Sequence, residues 1–200
     1  MSAPSLRIGV LGGTFDPPHI GHLLSARYVQ EALSLDEVLL IVANEPWQKV
    51  GSRVITPAGD RLAMVRAAAE GHPRITASDI EIERGGPSYS IDTLEHLRRT
   101  YPGSELFLIV GADAAAGLST WERASELPGL AGLAIVDREG APEVDPPFDW
   151  SFVRVAVPRV DVSSSDLRER AAAGLSLEWS VPDAVIDVIS GRRLYGLGAP

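Results

Sequence analysis

The 200-residue sequence contains no cysteine. No disulfide, thiolate metal site or cysteine nucleophile can be built from it, an absence that fits a reducing, cytoplasmic setting. Lysine is nearly absent too: Lys49 is the single one, and the other 17 of the 18 basic residues are arginines. Positive charge is short overall, with 27 acids against those 18 bases and a formal charge of −9. That balance excludes the broad basic face by which proteins hold DNA or RNA, and it excludes a polybasic membrane contact. No apolar run approaches the ~20 residues needed to span a bilayer. Arg7 and the short apolar run after it do not form a secretory signal. A single domain over residues 1–200 is expected at this length.

Apolar runs and helical periodicities alternate along the chain. Leu6 to Leu11 reads as a buried strand ending in the Gly12-Gly13 turn. A helix is expected over 19–33, a strand over 37–43, an irregular polar stretch over 44–57 and a helix over 57–70. The alternating ITASDIEI string predicts a strand over 75–82. Ser90 is expected to N-cap a helix running to Thr100. Strands follow at 105–111, 130–136 and 152–157, with a short helix at 121–127 and an acidic, proline-containing surface loop at 137–149. Helices over 165–174 and 182–191 end the chain. This order predicts an α/β, Rossmann-like fold, a doubly wound, mostly parallel sheet with helices on both faces. Such sheets bind ligands beyond the carboxyl ends of their strands, which draws attention to residues 12–22, 111–121 and 158–168.

The first of these reads GGTFDPPHIGH. It joins a strand to a helix, where backbone N–H groups and the helix dipole receive phosphate. Gly12 and Gly13 allow close backbone approach, Thr14 adds a hydroxyl, and Phe15 lies in the same string. His19 and His22, three residues apart, are expected on one side of a helical turn. The string is neither the dinucleotide fingerprint nor a P-loop. A zinc site would want a third or fourth ligand, which His72 and His96 are not placed to supply. The bland reading is a pair of histidines that cap and pack a turn.

The third segment reads DVSSSDLR. Hydroxyls of Ser163, Ser164 and Ser165 at a helix start form a second place for an anion, and Arg168 one turn later can grip phosphate oxygens. An ordinary N-cap with a solvated arginine is the alternative. Tyr89 and Ser90 sit at another helix start, a position suited to a carboxylate. Asp113 lies just past an apolar strand, and the Trp121 ring could stack on a pyridine or pyridinium ring.

These strings carry a resemblance. GGTFDPPHIGH resembles the H-x-G-H signature of the nucleotidyltransferase superfamily, and Ser163, Ser164, Ser165, Leu167 and Arg168 match its later signature. The Tyr89-Ser90 string, the Gly111 to Trp121 string, Arg138 in REGAP and the 188–196 ending are similar to the bacterial nicotinate mononucleotide adenylyltransferase family. The resemblance implies one nucleotidyltransferase domain whose helical segment 160–200 carries the second motif. It implies that His19, His22, Lys49 and Arg168 act on the phosphates. Gly12, Gly13, Thr14, Phe15, Asp113 and Ser163 to Ser165 would line the ATP site. Tyr89, Ser90, Trp121 and Arg138 would surround the nicotinate nucleotide. ATP and nicotinate mononucleotide are the implied substrates, with Mg²⁺ held mainly by their phosphates rather than by a protein metal site, and a homo-oligomer is possible within the family. Ser90 stands where the family often has threonine, and Glu45-Pro46-Trp47-Gln48-Lys49 departs from the Pro-Pro-His-Lys stretch of many members. Nicotinamide mononucleotide or phosphopantetheine as the second substrate, and a non-catalytic nucleotide-binding regulator, remain open alternatives.

Overall fold

The computed structural model describes residues 5–47, 54–138 and 145–196; of Arg138 only the backbone is described. Six strands form a single all-parallel sheet: β1 (Arg7–Gly13), β2 (Glu37–Val42), β3 (Ile75–Ser78), β4 (Glu105–Gly111), β5 (Gly132–Arg138) and β6 (Phe152–Val157), in the order β3-β2-β1-β4-β5-β6. The strand order reverses between β1 and β4, and that is where a doubly wound sheet opens a crevice.

Alternation along the strands feeds two apolar layers. Ile8, Val10, Leu39, Ile41, Leu106 and Leu108 face one layer with α4 (Ser90–Thr100) and α5 (Ala112–Ala116). Leu11, Val38, Leu40, Ile109 and Ala134 face the other, against α1 (Ile20–Ala32) and α2 (Ala58–Ala69). A third cluster lies outside the sheet. There Met64 and Ala68 of α2 pack on Leu167 and Ala171 of α6 (Ser164–Ala172) and on Val185 and Ile189 of α7 (Asp183–Gly191). The carboxyl-terminal helices are thus carried on α2, beside the ends of the strands that they must reach.

The structure corrects four details of the expected elements. The predicted strand over 75–82 ends at Ser78, and Ile80–Arg84 is a short helix, α3. The register explains the change: Ser78 pairs with Ile41, which leaves only Val42 of β2 beyond it. With no neighbouring edge to follow, the backbone closes locally. The Glu83 N–H bonds the Asp79 carbonyl at 2.8 Å, and Gly85, at a φ of 71°, stops the turn. Ser90 is not the cap of α4 but its first residue; Tyr89 is the extended cap, and no side chain serves it.

The helix expected over 121–127 is replaced by two 3-10 turns, Leu118–Thr120 and Ala124–Gly129, with Trp121 extended between them. Pro128 in the second turn lacks the N–H that a continuing helix would need. Finally, the strand expected over 130–136 runs from Gly132 to Arg138, because the N–H groups of Leu130 and Ala131 close back on the Leu127 carbonyl.

Gly9 shows how tightly β1 is gripped. A Cβ there would lie 2.8 Å from Leu35 Cδ1, 2.9 Å from Ile109 Cδ1 and 3.1 Å from Val38 Cγ2. Overpacking of this kind costs roughly 1–3 kcal/mol. Gly9→Ala is expected to lower the urea midpoint by that amount of stability with an unchanged denaturant slope.

Candidate active site

A cavity of about 250 Å³ opens at the carboxyl ends of β1, β2 and β4. Its walls include Gly12, Gly13 and Thr14 from the β1–α1 loop, Trp47, Glu81, Ser88 and Ser90 from the far side, and Gly111, Ala114 and Trp121 beyond β4. The two glycines differ in what they require. A Cβ on Gly12 would meet nothing within 4 Å, whereas one on Gly13 would lie 2.8 Å from the Phe15 ring. Gly13 therefore makes room for Phe15. That ring is 2% exposed, so the side chain expected at the ATP site is instead packed beneath it. The ring forms a T-shaped pair with His22, with centroids 5.0 Å apart and planes at 75°.

The histidines come together on one side of the first turn of α1, as the spacing predicts, but as its cap rather than as two helical positions. His19 is the extended N-cap of α1, and His22 is its third residue. The two form a reciprocal cap: His19 Nδ1 accepts from the Gly21 N–H at 3.2 Å, and His22 Nδ1 accepts from the His19 N–H at 3.2 Å. Their rings lie 3.8 Å apart between centroids. An imidazole whose Nδ1 accepts must, when neutral, carry its proton on Nε2. The cap thereby sets both tautomers and turns both rings into Nε2–H donors. No acid occupies the first turn of α1, so nothing there offsets the positive end of the helix dipole.

The second motif is brought against this loop from about 150 residues away. Ser163 N-caps α6 by accepting from the Asp166 N–H at 3.1 Å. Ser164 Oγ donates to the Pro17 carbonyl at 2.8 Å. Arg168 donates through Nη1 to the Asp16 carbonyl at 2.8 Å and through Nη2 to Ser165 Oγ at 3.1 Å. The three hydroxyls cap, tether and brace, and the guanidinium keeps further N–H groups for a ligand.

Two residues of the site gave no signal in the sequence. Arg61 is 1% exposed and donates to three backbone carbonyls: Thr56 at 2.8 Å, Thr14 at 2.9 Å and Asn44 at 3.0 Å. It ties the glycine-rich loop to both ends of the segment after β2. In the sequence it is an arginine on a helix of ordinary composition, and nothing in the string marks it as buried. Glu81, 6% exposed, is a cavity wall. Burial pushes its carboxyl above the ordinary carboxylate range, while hydrogen bonds from Ser88 and Thr93 and the Arg84 guanidinium pull it partly back. Thr93 Oγ1 donates to it at 2.5 Å, and Ser88 Oγ also accepts the Asn44 N–H at 2.8 Å. The mistaken strand over 75–82 hid this acid.

Among the other expected residues, Ser90 and Trp121 reach the cavity wall. Tyr89 stands one step back, its ring 6.2 Å from that of Trp47. Asp113 lies exposed on the first turn of α5, between the wall residues Gly111 and Ala114. Lys49 falls outside the described residues, and of Arg138 only its place as the last residue of β5 is described. Among the described residues no group of three or more His, Asp or Glu side chains is placed to hold a metal ion. No helix among them is long and apolar enough to cross a membrane.

A Rossmann-like sheet in this strand order, with a glycine-rich loop and a histidine-capped helix at its switch point, has its cleft where doubly wound α/β proteins bind nucleotides. Residues 10–170 match the cytidylyltransferase-like family model, and the chain belongs to that family. It is 43% identical over 193 residues to a Corynebacterium kroppenstedtii protein named "Probable nicotinate-nucleotide adenylyltransferase", covering 94% of this chain and 90% of that one. A Thermus thermophilus protein of the same name is 44% identical over 190 residues, covering 95% of this chain and 100% of the relative. The Plasmodium falciparum nicotinic acid mononucleotide adenylyltransferase, solved in complex with NaAD, superposes with a TM-score of 0.77 over 96% of this chain and 98% of its own. At 17% identity that likeness speaks for the fold.

Arg61 generates a stability prediction. Arg61→Met leaves three carbonyls without their donor, each lost buried partner costing about 1–3 kcal/mol. Unfolding free energy from urea titration is expected to fall by at least about 3 kcal/mol. Arg61→Lys should recover only part of it, since an ammonium cannot reproduce the guanidinium fork.

Proposed function

We propose that this protein transfers the adenylyl group of ATP to nicotinate mononucleotide, releasing pyrophosphate and forming nicotinate adenine dinucleotide. The observation that carries the reading is the convergence of His19, His22 and Arg168 on one loop beside a cavity walled by Ser88, Ser90 and Trp121. The full-length relatives at 43–44% identity bear the name of that activity.

In this reaction a phosphate oxygen of the mononucleotide attacks the α-phosphorus, and the bond to the β-phosphate breaks. The nucleophile is ionised at neutral pH, so no general base and no protein nucleophile are needed. The protein's part is positioning and charge stabilisation. The Nε2–H groups of His19 and His22 would meet charge building on the α-phosphate. Arg168, Lys49 and the Ser163 to Ser165 turn would hold the leaving pyrophosphate. Backbone N–H groups from Gly12 to Phe15 and the neighbourhood of Asp113 would receive the rest of ATP. Ser90 and Tyr89 at the start of α4, the Trp121 ring and Arg138 would meet the nicotinate ring and its carboxylate.

Mg²⁺ fits as a companion of the substrate. Asp16 and Glu81, the buried carboxylates nearest the site, accept hydrogen bonds from Tyr195 and Thr93. The ion would take its oxygens from the triphosphate and water, where it masks charge that an acidic protein would otherwise repel.

Nicotinamide mononucleotide is the rival second substrate. Pyrophosphate release from ATP with nicotinate mononucleotide, nicotinamide mononucleotide and phosphopantetheine in parallel tests the choice. The acid should have the highest kcat/KM, and equal or greater release with either of the others overturns the assignment. Loss of one preorganised donor to the transition state is typically worth ~10²–10³ in turnover. His22→Ala is expected to lose that much at saturating substrates, and a turnover within a few-fold of the parent would remove His22 from the mechanism.

A further inference from the structure

Tyr195 lies 179 residues from Asp16 in sequence, yet its hydroxyl donates to Asp16 Oδ1 at 2.7 Å. Asp16 is 1% exposed, and its other carboxylate oxygen lies 3.5 Å from the Thr56 N–H. The backbone carbonyl of this same residue accepts the Arg168 guanidinium at 2.8 Å. One residue thus takes the tyrosine on its side chain and the phosphate-site arginine on its main chain. Three residues further on, His19 begins the cap of α1.

The contact is built at some conformational expense. Tyr195 is held at a φ of 56° and Phe15, next to Asp16, at 50°. Both are non-glycine residues in the left-handed region, which persists only where surrounding contacts impose it. The tyrosine ring packs with the cluster that joins α2 to α6 and α7, and its oxygen lies 3.7 Å from Met64 Sδ. Burial first, then the hydrogen bond to Asp16 and that residue's charge, push the pKa of the hydroxyl well above its ordinary value, while Thr56 and Arg168 oppose the shift. The hydroxyl stays a donor throughout the pH range in which such a protein is handled.

We propose that Tyr195 is a positioning residue, acting through Asp16 to hold the turn on which Arg168 is clamped beside the histidine cap. The inference rests on the proposed role of Arg168 toward the ATP phosphates, and is independent of which mononucleotide is the second substrate. A mere staple for the carboxyl-terminal turn would contribute stability and leave nucleotide binding alone.

The test is a double-mutant cycle on ATP affinity, measured calorimetrically with Mg²⁺ and no second substrate. Tyr195→Phe keeps the ring and deletes the donor. A hydrogen bond to a charged group is commonly worth about a factor of ten or more, so ATP binding should weaken roughly tenfold with the circular dichroism spectrum retained. In an Arg168→Lys background the same change should weaken it less than about twofold, because the cation it positions has already lost its fork. Unchanged ATP affinity in Tyr195→Phe, or equal losses in both backgrounds, overturns the proposal. Should Tyr195→Phe fail to fold, Asp16→Asn, which leaves an amide oxygen in place of the carboxylate and so weakens the tyrosine's bond without deleting it, enters the same cycle: a smaller loss of ATP affinity that disappears in the Arg168→Lys background is expected, and equal losses in both backgrounds overturn the proposal. A parent protein that binds ATP but releases no pyrophosphate with nicotinate mononucleotide would refute the proposed reaction, while the ATP cycle still decides the role of Tyr195.

Discussion

A helix that points its amino end into a binding cleft has backbone N–H groups that must be capped or given to a ligand. In α1 the Ile20 N–H bonds the Ser180 carbonyl at 3.0 Å, and the Gly21 N–H and the His19 N–H go to two imidazoles rather than to a carboxylate or a hydroxyl. An aspartate cap would satisfy the same N–H groups but would set a negative charge where phosphate has to approach. A histidine cap satisfies them through Nδ1 and leaves the other face of each ring as a donor. The rest of the site serves this arrangement. Gly13 clears space for Phe15, Phe15 packs against the His22 ring, and the Asp16 to Pro18 turn brings the chain to the cap.

Beneath the loop lie two charged side chains, Asp16 and Arg61, each about 1% exposed. Burying charge is costly unless hydrogen bonds replace the lost water. Arg61 replaces it with three carbonyls drawn from segments flanking the cleft, and Asp16 with the Tyr195 hydroxyl. Each is therefore costly to remove once its partners are in place, and each specifies a single loop geometry. The net charge of −9 takes on its meaning here. An acidic protein can hold polyanionic ligands when its few cations and helix starts converge locally, and Arg61, Arg168 and the start of α1 converge on one loop.

Much of the architecture was legible because its causes are local. The β1, β2, β4 and β6 strands are short apolar runs, and each of the long helices has its periodicity on display. The errors fell where a local pattern was overruled by a neighbour. Ile80 and Ile82 alternate as a strand would, but β2 offers no edge beyond Val42, so the segment turned helical and carried Glu81 into the cavity wall. Trp121 to Leu127 has helical composition, yet Pro128 and the adjoining turns leave Trp121 extended against the cleft.

By itself, the sequence determined the βα alternation, the two phosphate-type strings and the absence of thiol chemistry, because these depend on residue type and short spacing. Only the tertiary structure decided how the histidines are used, since the reciprocal cap depends on the φ and ψ of His19 and not on its spacing from His22. Likewise it alone joined Arg168 and Tyr195 to Asp16 and made Arg61 a buried clamp. Those contacts bridge 47 to 179 positions of sequence. They exist because α2 carries the last two helices back over the carboxyl ends of the strands, a packing outcome that no window of the chain encodes alone.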